Sequence, residues 1–195
     1  MSVYKLSNVG GLKTKTAYTS FLAGNSQFVP STYEAIATTT LATTASSITF
    51  SSIPTGYTHL QIRGIFKPST ACWLGLRFNG DSGSNYAYHD LRGNGASATN
   101  ESVASQTIAN LSLYNQSPVT STFNTTVIDI LDYTNTSKYK TQRTLSGLDA
   151  NGSGNINLTS SLWMSTSAVT SIVLSCTASA TLSQYSSFTL YGIRG

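Results

Sequence analysis

The side chains best suited to hydrolytic chemistry are two histidines and one neighbouring carboxylate. His59 stands in the strand-like run THLQIRGIFK, and His89 precedes Asp90 in the aromatic segment NYAYHDLR. A hydrolase would need a serine beside one imidazole and a carboxylate behind it. The chain is rich in serine but has no Gly-x-Ser-x-Gly elbow, the turn that exposes the nucleophile in one large class of hydrolases. The sequence therefore favours structural or surface roles for both histidines, with no catalytic residues and no enzyme activity.

One acidic turn resembles the first half of a calcium-binding loop. It runs from Asp149 through Asn151, Gly152 and Ser153 to Gly154. The twelfth position of such a loop should be a bidentate Glu, and here it is Ser160. The two His and two Cys of the chain also lack the spacing of a zinc site. We therefore predict a Gly/Asn turn at this place, and neither a metal nor another cofactor.

Several aromatic side chains near polar ones could form a platform on which a sugar ring stacks. Asp81, Asn85 and Asp90 would supply hydrogen bonds beside the rings. Aromatic residues in strands more often belong to a core or an interface, so glycan binding is the alternative hypothesis. The platform would consist of Trp73, Tyr86, Tyr88, His89 and Trp163.

Lys138, Lys140 and Arg143 form the densest basic group near a turn. At a strand period of two, Lys138 and Lys140 share one face and Arg143 points to the other. A nucleic-acid site needs basic groups that follow the phosphate backbone together. We therefore expect no nucleic-acid partner.

The composition indicates a folded β protein with a neutral, hydroxyl-rich surface. Charged residues make up 9% of the 195-residue chain, against about 25% in typical globular proteins. Ser and Thr supply about a third of the residues, and 10% are aromatic. Disordered chains are usually poor in aromatic and β-branched residues. The length suits one substantial core together with an extension.

The extension is predicted at the N-terminus, where most of the net charge of +4 lies. Residues 1–30 contain Lys5, Lys13 and Lys15 and no acidic residue. They show no sustained strand or helix period, although large apolar residues recur, so the alternative of a disordered terminus is less favoured. We predict a docking arm over residues 1–30 and a β-sandwich over 31–195. The partner-docking residues are Leu12, Lys13, Lys15, Tyr18, Phe21, Leu22 and Phe28.

Residues 1–11 lack the apolar stretch of a signal peptide, and no run is long enough to span a bilayer. We therefore expect synthesis in the cytoplasm and no membrane partner. Cys72 and Cys176 lie in the apolar runs CWLGLRF and SIVLSCT. In such a compartment they are predicted to be buried, reduced thiols.

Short runs rich in Thr, Tyr, Val and Ile, cut by Gly, Asn and Ser, predict eight to ten strands. Alternation in two of them places Leu60 and Ile62, and then Leu74 and Leu76, on core-facing sides. Residues 85–92 suit an edge strand or an ordered loop, 93–100 a loop, and 101–114 a strand after an irregular lead-in, with a short helix as the alternative. The other predicted strands are 34–41, 46–53, 58–67, 72–79, 122–133, 138–149, 156–165, 169–177 and 188–194. No run of helical period could cross a parallel sheet, so we predict an all-β, antiparallel, jelly-roll-like sandwich.

Several segments together resemble a family of β-sandwich virion proteins of tailed bacteriophages, of the marine and cyanobacterial phage type. They are SSIPTGYTHLQIRG, LRFNGDSGSNYAYHDLRGNG, DILDYTNTSKYKTQRTLSG and SFTLYGIRG, and the N-terminal GLKTKTAYTSFLAGN is similar too. The resemblance extends from about residue 11 to the end. Its motifs look like turns and strand ends, and the family has no catalytic residues to transfer.

The resemblance implies a non-enzymatic virion structural protein, made in the host cytoplasm. The first expectation is a capsid decoration or cement protein that docks on other virion proteins through its arm. The alternative is a tail-fibre or spike component that binds host-surface glycans through the aromatic residues. A homo-oligomer is expected in either case.

Overall fold

The computed structural model of this protein describes residues 32–114 and 122–195. These residues form twelve strands, and none of them belongs to a helix that could cross a membrane. The strands are β1 (Tyr33–Thr40), β2 (Ser47–Phe50), β3 (His59–Phe66), β4 (Cys72–Phe78), β5 (Tyr86–Gly93), β6 (Ala98–Gln106), β7 (Ala109–Tyr114), β8 (Asn124–Ile130), β9 (Lys140–Asp149), β10 (Gly154–Trp163), β11 (Ile172–Cys176) and β12 (Ser187–Ile193).

The strands form two antiparallel sheets, which confirms the predicted all-β sandwich. The larger sheet has eight strands in the order β1-β12-β3-β8-β9-β10-β5-β6. The smaller sheet has four strands in the order β2-β11-β4-β7.

Eight of the strands have the connectivity of a jelly roll. β1, β12, β3 and β8 lie side by side in one sheet, and β2, β11, β4 and β7 lie side by side in the other. The chain passes from one sheet to the other at β1–β2, β2–β3, β3–β4, β4–β5, β6–β7, β7–β8, β10–β11 and β11–β12. The eight strands thereby have the arrangement of a double Greek key. The other four strands, β9, β10, β5 and β6, continue the larger sheet beyond β8. We call these four strands the extension.

The apolar core lies between the two jelly-roll sheets. Leu60 and Ile62 of β3 and Leu74 and Leu76 of β4 are fully buried, as their alternation predicted. β3 and β4 each turn one face to this core, because successive side chains of a strand point to opposite sides.

The prediction was wrong at the two strands that follow β4. β5 lies inside the larger sheet between β10 and β6, so it is neither an edge strand nor a loop. Only residues 94–97 form the predicted loop, because Ala98, Thr99 and Asn100 pair with Gly93, Arg92 and Leu91. β6 is the true edge, and its polar, mostly exposed side chains show no apolar period. Residues 101–114 form strands and no helix.

Both cysteines are free thiols, as predicted, but only Cys72 is buried, and Cys176 is partly exposed. The two lie on the neighbouring strands β4 and β11. A hydrogen bond between the two thiols lowers the pKa of Cys72 and, together with burial, raises the pKa of Cys176.

Candidate functional site

The extension reverses the polarity of an ordinary sandwich strand. In β9 and β10, the side chains that point towards the smaller sheet are polar and buried, whereas those that point to solvent include large aliphatic groups. Leu145 is 53% exposed, Ile156 59% and Leu158 53%. The buried polar set is Gln142, Thr144, Ser146, Asn155, Asn157, Thr159 and Ser161.

Strand register joins the exposed aliphatic groups into one continuous surface. Val127 pairs with Leu145, Leu145 with Leu158, and Leu158 with Leu91, across β8, β9, β10 and β5. In the next row, Ile65 of β3 pairs with Thr125, and that row continues to Ile156. We call this surface the outer apolar face. Its members are Ile65, Leu91, Val127, Leu145, Ile156 and Leu158.

The outer apolar face has both a ridge and a groove. Ile156 pairs with Gly147 on one side and with Gly93 on the other, so it stands between two positions without side chains. A groove of about 570 Å³ runs over Gly147 and is lined by Ile65, Val127 and Leu145. Ile156 also lines a second groove of about 710 Å³ at the β9–β10 turn.

Charges are few on the outer apolar face: Arg63 lines the groove at its β3 end, and the other charges lie beside the face. The adjoining row places Gln61, Asp129 and Arg143 in register. Gln61 Nε2 donates to Asp129 Oδ1 at 2.7 Å. Arg63, at the β3 end of the Leu145 row, has its guanidinium 5.5 Å from the ring centre of Tyr33. The surface from β8 to β5 is therefore electrically neutral.

The edge of β7 accounts for part of the polar inner side of the extension, namely for the donors on β10. β7 is the last strand of the smaller sheet, so one side of its backbone lacks a neighbouring strand. Ser161 Oγ donates to Asn110 O at 2.9 Å, and Asn155 Nδ2 donates to Leu113 O at 2.9 Å. Buried backbone carbonyls need such donors. Because Asn155 and Ser161 occupy inner positions of β10 as donors to β7, the large aliphatic residues Ile156 and Leu158 lie on the outer side.

An ion-pair cluster lies where β5 and β6 meet β4. Arg92 Nε lies 2.7 Å from Asp90 Oδ2, and Arg92 Nη2 lies 3.0 Å from Glu101 Oε2. The guanidinium also lies 5.3 Å from the Trp73 ring centre. Burial raises the pKa of Asp90, and the charge of Arg92 only partly offsets this. These contacts hold the two strands against the smaller sheet.

The structure does not bring the five predicted glycan-binding residues together as one exposed platform. Tyr86, Tyr88 and Trp163 are buried, with 0%, 4% and 3% exposure. Trp73 is half-buried beside Arg92. His89 is exposed, and its Nε2 lies 3.0 Å from Ser102 Oγ.

Two of the buried rings, Trp163 and Tyr86, are held by Asp81 in the β4–β5 loop. Trp163 Nε1 donates to Asp81 Oδ2 at 2.7 Å, which holds the pKa of Asp81 below its usual range. The Tyr86 hydroxyl donates to Asp81 O at 3.2 Å, and burial raises the pKa of Tyr86 to about 12. These contacts belong to the core and its covering loop.

The histidines considered for a triad lie apart. His59 is on β3 and His89 on β5, with three strands between them in the sheet. His89 and Asp90 point to opposite faces, because they are consecutive in β5. His59 Nδ1 accepts a hydrogen bond from the Asp132 backbone N–H at 3.0 Å. Within residues 32–114 and 122–195, no three His, Cys, Asp or Glu side chains are grouped to hold a metal ion.

The calcium-like segment is the Gly/Asn turn between β9 and β10, as predicted. Asp149 Oδ1 accepts a hydrogen bond from the Asn151 N–H at 2.9 Å. Asn151 and Gly152 both have positive φ, 56° and 98°, which Asn and Gly adopt at the least cost. The carboxylate thus stabilises the turn.

Lys138, Lys140 and Arg143, the basic residues at the start of β9, do not form one basic surface. Lys140 is buried, and its ammonium donates to three backbone carbonyls, those of Asn135, Lys138 and Thr166, at 2.5, 3.0 and 3.2 Å. Burial lowers the pKa of Lys140. Lys138 precedes β9 and pairs with Asp132. The prediction that Lys138 and Lys140 share one strand face was therefore wrong. Arg143 is exposed on the opposite side of β9, as predicted.

The predicted docking residues Leu12, Lys13, Lys15, Tyr18, Phe21, Leu22 and Phe28 lie outside the described residues. Sequence reasoning missed the outer apolar face. In β9 and β10, Leu145, Ile156 and Leu158 alternate with hydroxyl and amide residues, and the sequence alone led to no assignment of either side to the core. The signal that could have identified the exposed side is the run of Gln, Thr, Ser and Asn at the alternate positions.

Comparison of the chain with protein-family models, with curated proteins and with solved structures finds no match. What the protein does therefore has to be inferred from its fold and its surfaces.

Proposed function

We propose that this protein is a non-enzymatic structural component of a bacteriophage particle. The favoured role is capsid decoration or cement, with residues 1–30 docking on a neighbouring virion protein. The observation that carries the proposal is the outer apolar face, a continuous aliphatic surface on an otherwise hydroxyl-rich sandwich. Contiguous apolar patches of this kind mark sites of interaction.

Several of the buried polar groups hold the fold. Donors of β10 bind the β7 edge, Asp81 binds Trp163, and Arg92 bridges Asp90 and Glu101. A catalytic site would instead gather a nucleophile, a base and an oxyanion-binding group around one cleft. This arrangement supports a structural role over an enzymatic one.

The fold supports a particle role by analogy. Jelly rolls recur in viral capsid proteins, and they also occur in lectins and cupins. A fold hosts many functions, so the analogy only raises the weight of the virion role. The resemblance to phage virion proteins, stated from the sequence, selects that role among the three.

The charge distribution supports docking through the N-terminal residues. Residues 1–30 carry three lysines and no acidic residue, with five large apolar residues among the docking set. An acidic, partly apolar surface on another virion protein is the complementary partner.

The second candidate is a tail-fibre or spike component that binds host-surface glycans. Because Tyr86, Tyr88 and Trp163 are buried, this role would depend on Trp73 and His89. Binding to a glycan array by the wild-type protein, lost on Trp73→Ala and His89→Ala substitution, would favour this candidate.

Quantitative mass spectrometry of purified particles tests the proposal. A decoration or cement protein should be present at a copy number comparable to that of the main shell protein. A copy number comparable to that of tail proteins would place it in the tail. Its absence from purified particles would contradict a virion role.

A further inference from the structure

We infer that the outer apolar face is the contact between two copies of this chain, packed sheet against sheet around a two-fold axis. The inference deepens the proposed structural role and rests on it for its biological context. The area, the charges and the shape of the face, together with the direction of the chain, favour a second copy as the partner.

The available area fits a stable dimer. Ile65, Leu91, Leu145, Ile156 and Leu158 are each between 44% and 59% exposed, which together amounts to several hundred Å² of contiguous apolar surface. The sheet from β3 to β6 is six strands wide. At about 4.8 Å per strand and about 3.4 Å per residue, it offers roughly 700–800 Å² on one side. Stable interfaces bury about 800 Å² per partner.

The charges of the face suit an identical partner. The two apolar rows have no charged side chain from β8 to β5, and the adjoining row has one charge of each sign, Asp129 and Arg143. Arg63 of β3 is a further charge, which lines the groove, and its guanidinium stacks on Tyr33. Two copies would therefore bring together surfaces that are neutral from β8 to β5, with one Arg63 from each copy at the β3 end. A strongly basic or acidic partner would find little to pair with.

The shape of the face is self-complementary. An isologous contact uses the same patch on both copies, so the patch must contain a projection and a matching depression. Ile156 projects between Gly147 and Gly93, and the groove over Gly147 lies beside it, lined by Ile65, Val127 and Leu145. A two-fold axis in the interface plane, passing between Ile156 and the groove, would place each Ile156 in the groove of the other copy.

The N-terminal residues of the same chain are the competing occupant, and the chain direction argues against them. β1 begins at Tyr33, which pairs with Ile193, whereas Ile65 aligns with Ser187 and with Thr40 at the other end of β1. Residues before Tyr33 therefore join the sheet at the end far from Ile65 and Ile156. The lysines of residues 1–30 would also find no carboxylate within the outer apolar face.

Analytical ultracentrifugation of the full chain tests the inference. The wild-type protein should be dimeric at micromolar concentration. Leu158→Lys should weaken self-association by about 100-fold or more, because a charge would be buried in an apolar contact. Thr49→Lys is the matched control, since Thr49 is an exposed strand residue on β2 of the smaller sheet, away from the outer apolar face. It should remain dimeric.

Ile156→Ser provides a second variant without an added charge and should also favour the monomer. Circular dichroism should show all variants folded, because the substituted side chains are exposed. A monomeric wild-type protein, or a dimer that survives both Leu158→Lys and Ile156→Ser, would overturn the inference.

Photo-crosslinking distinguishes the two occupants. A photoreactive amino acid at position 156, in a mixture of ¹⁴N- and ¹⁵N-labelled chains, should give mixed-isotope crosslinks to β3, β8 or β9. Crosslinks to residues 1–31 would identify the N-terminal segment as the occupant and overturn the inference. Failure here is separable from failure of the virion role: a monomer found in purified particles would overturn only the dimer.

Discussion

At the residue scale, Asp81 in the β4–β5 loop and Asp90 in β5 have pKa values that are shifted in opposite directions. Asp81 accepts hydrogen bonds from Trp163 Nε1 and Asn85 Nδ2, at 2.7 and 2.9 Å. The bond from Trp163 is the main reason that its pKa is lowered. Asp90 is buried, and burial raises its pKa despite the adjacent Arg92. The ionised carboxylate of Asp81 therefore stabilises the fold, whereas the ionised carboxylate of Asp90 destabilises it.

The two shifts predict pH effects of opposite sign, because an unfolded Asp titrates near about 3.9. Asp81 stabilises the fold above that pH, and this stabilisation is lost as the pH falls through its lower folded pKa. Asp90 costs stability as the pH rises from about 3.9 through its raised folded pKa. In urea unfolding at a series of pH values, Asp81→Asn should therefore reduce the change in the free energy of unfolding with pH below about 3.9. Asp90→Asn should reduce the change above about 3.9. Wild-type slopes in both variants would contradict these assignments.

Lys140 predicts a larger loss of stability than its neighbour Lys138. Its buried ammonium serves three carbonyls, and Lys140→Met would leave them without that donor. The free energy of unfolding should fall by about 2–4 kcal/mol. Lys138→Met, the matched control, removes only an exposed pair with Asp132 and should cost less than about 1 kcal/mol. Chemical denaturation measures both, and equal losses would contradict the structural role of Lys140.

At the scale of elements, the extension depends on the donors that β10 directs at the edge of β7. Ser161 Oγ donates to Asn110 O, and both residues are buried. Its neighbour Ser160 is exposed on the outer side. Ser161→Ala should lower the free energy of unfolding by about 1 kcal/mol, whereas Ser160→Ala should change it by no more than about 0.5 kcal/mol. A loss at Ser160 as large as at Ser161 would show that the hydrogen bond to β7 is not the cause.

Local periodicity predicted the jelly-roll strands well and the extension poorly. β3 and β4 pack on the apolar core, so the alternation of Leu60, Ile62, Leu74 and Leu76 indicates which side is buried. The side of β10 that is buried is set in part by the distant edge of β7, and in the sequence only the amide and hydroxyl residues at its alternate positions indicate that side. The edge strand β6 pairs through its backbone, and its polar side chains give no period to detect. The outer apolar face could not be predicted because it forms only when β3, β8, β9, β10 and β5 are placed in register.

At the scale of the whole molecule, all eight jelly-roll strands and the extension lie within the described residues, 32–114 and 122–195. A chain that starts at Ser31 should therefore unfold at nearly the wild-type temperature but fail to join particles. If the apolar residues of the deleted segment were part of the core, the deletion would instead lower the free energy of unfolding by about 1.5–3 kcal/mol for each large side chain. Differential scanning calorimetry and mass spectrometry of particles measure the two effects. Normal incorporation of the shortened chain would show that the sandwich itself docks.

Within residues 1–30, the apolar residues should contribute more to docking than the lysines. Tyr18→Ala with Phe21→Ala should weaken incorporation more than Lys13→Glu with Lys15→Glu, because exposed ion pairs contribute about 0–1 kcal/mol each. The reverse order, measured by quantitative mass spectrometry of purified particles, would indicate electrostatic docking.

The central claim is that the protein is a structural component of a phage particle, and rebinding to particles that lack it tests this most directly. Purified full-length chain is added in increasing amounts to particles from a phage deleted for the gene, and the particles are sedimented. The account predicts saturable co-sedimentation at a fixed ratio to the main shell protein, with no binding to unrelated particles. A chain that stays in the supernatant at every concentration, or that binds without saturation, would contradict it.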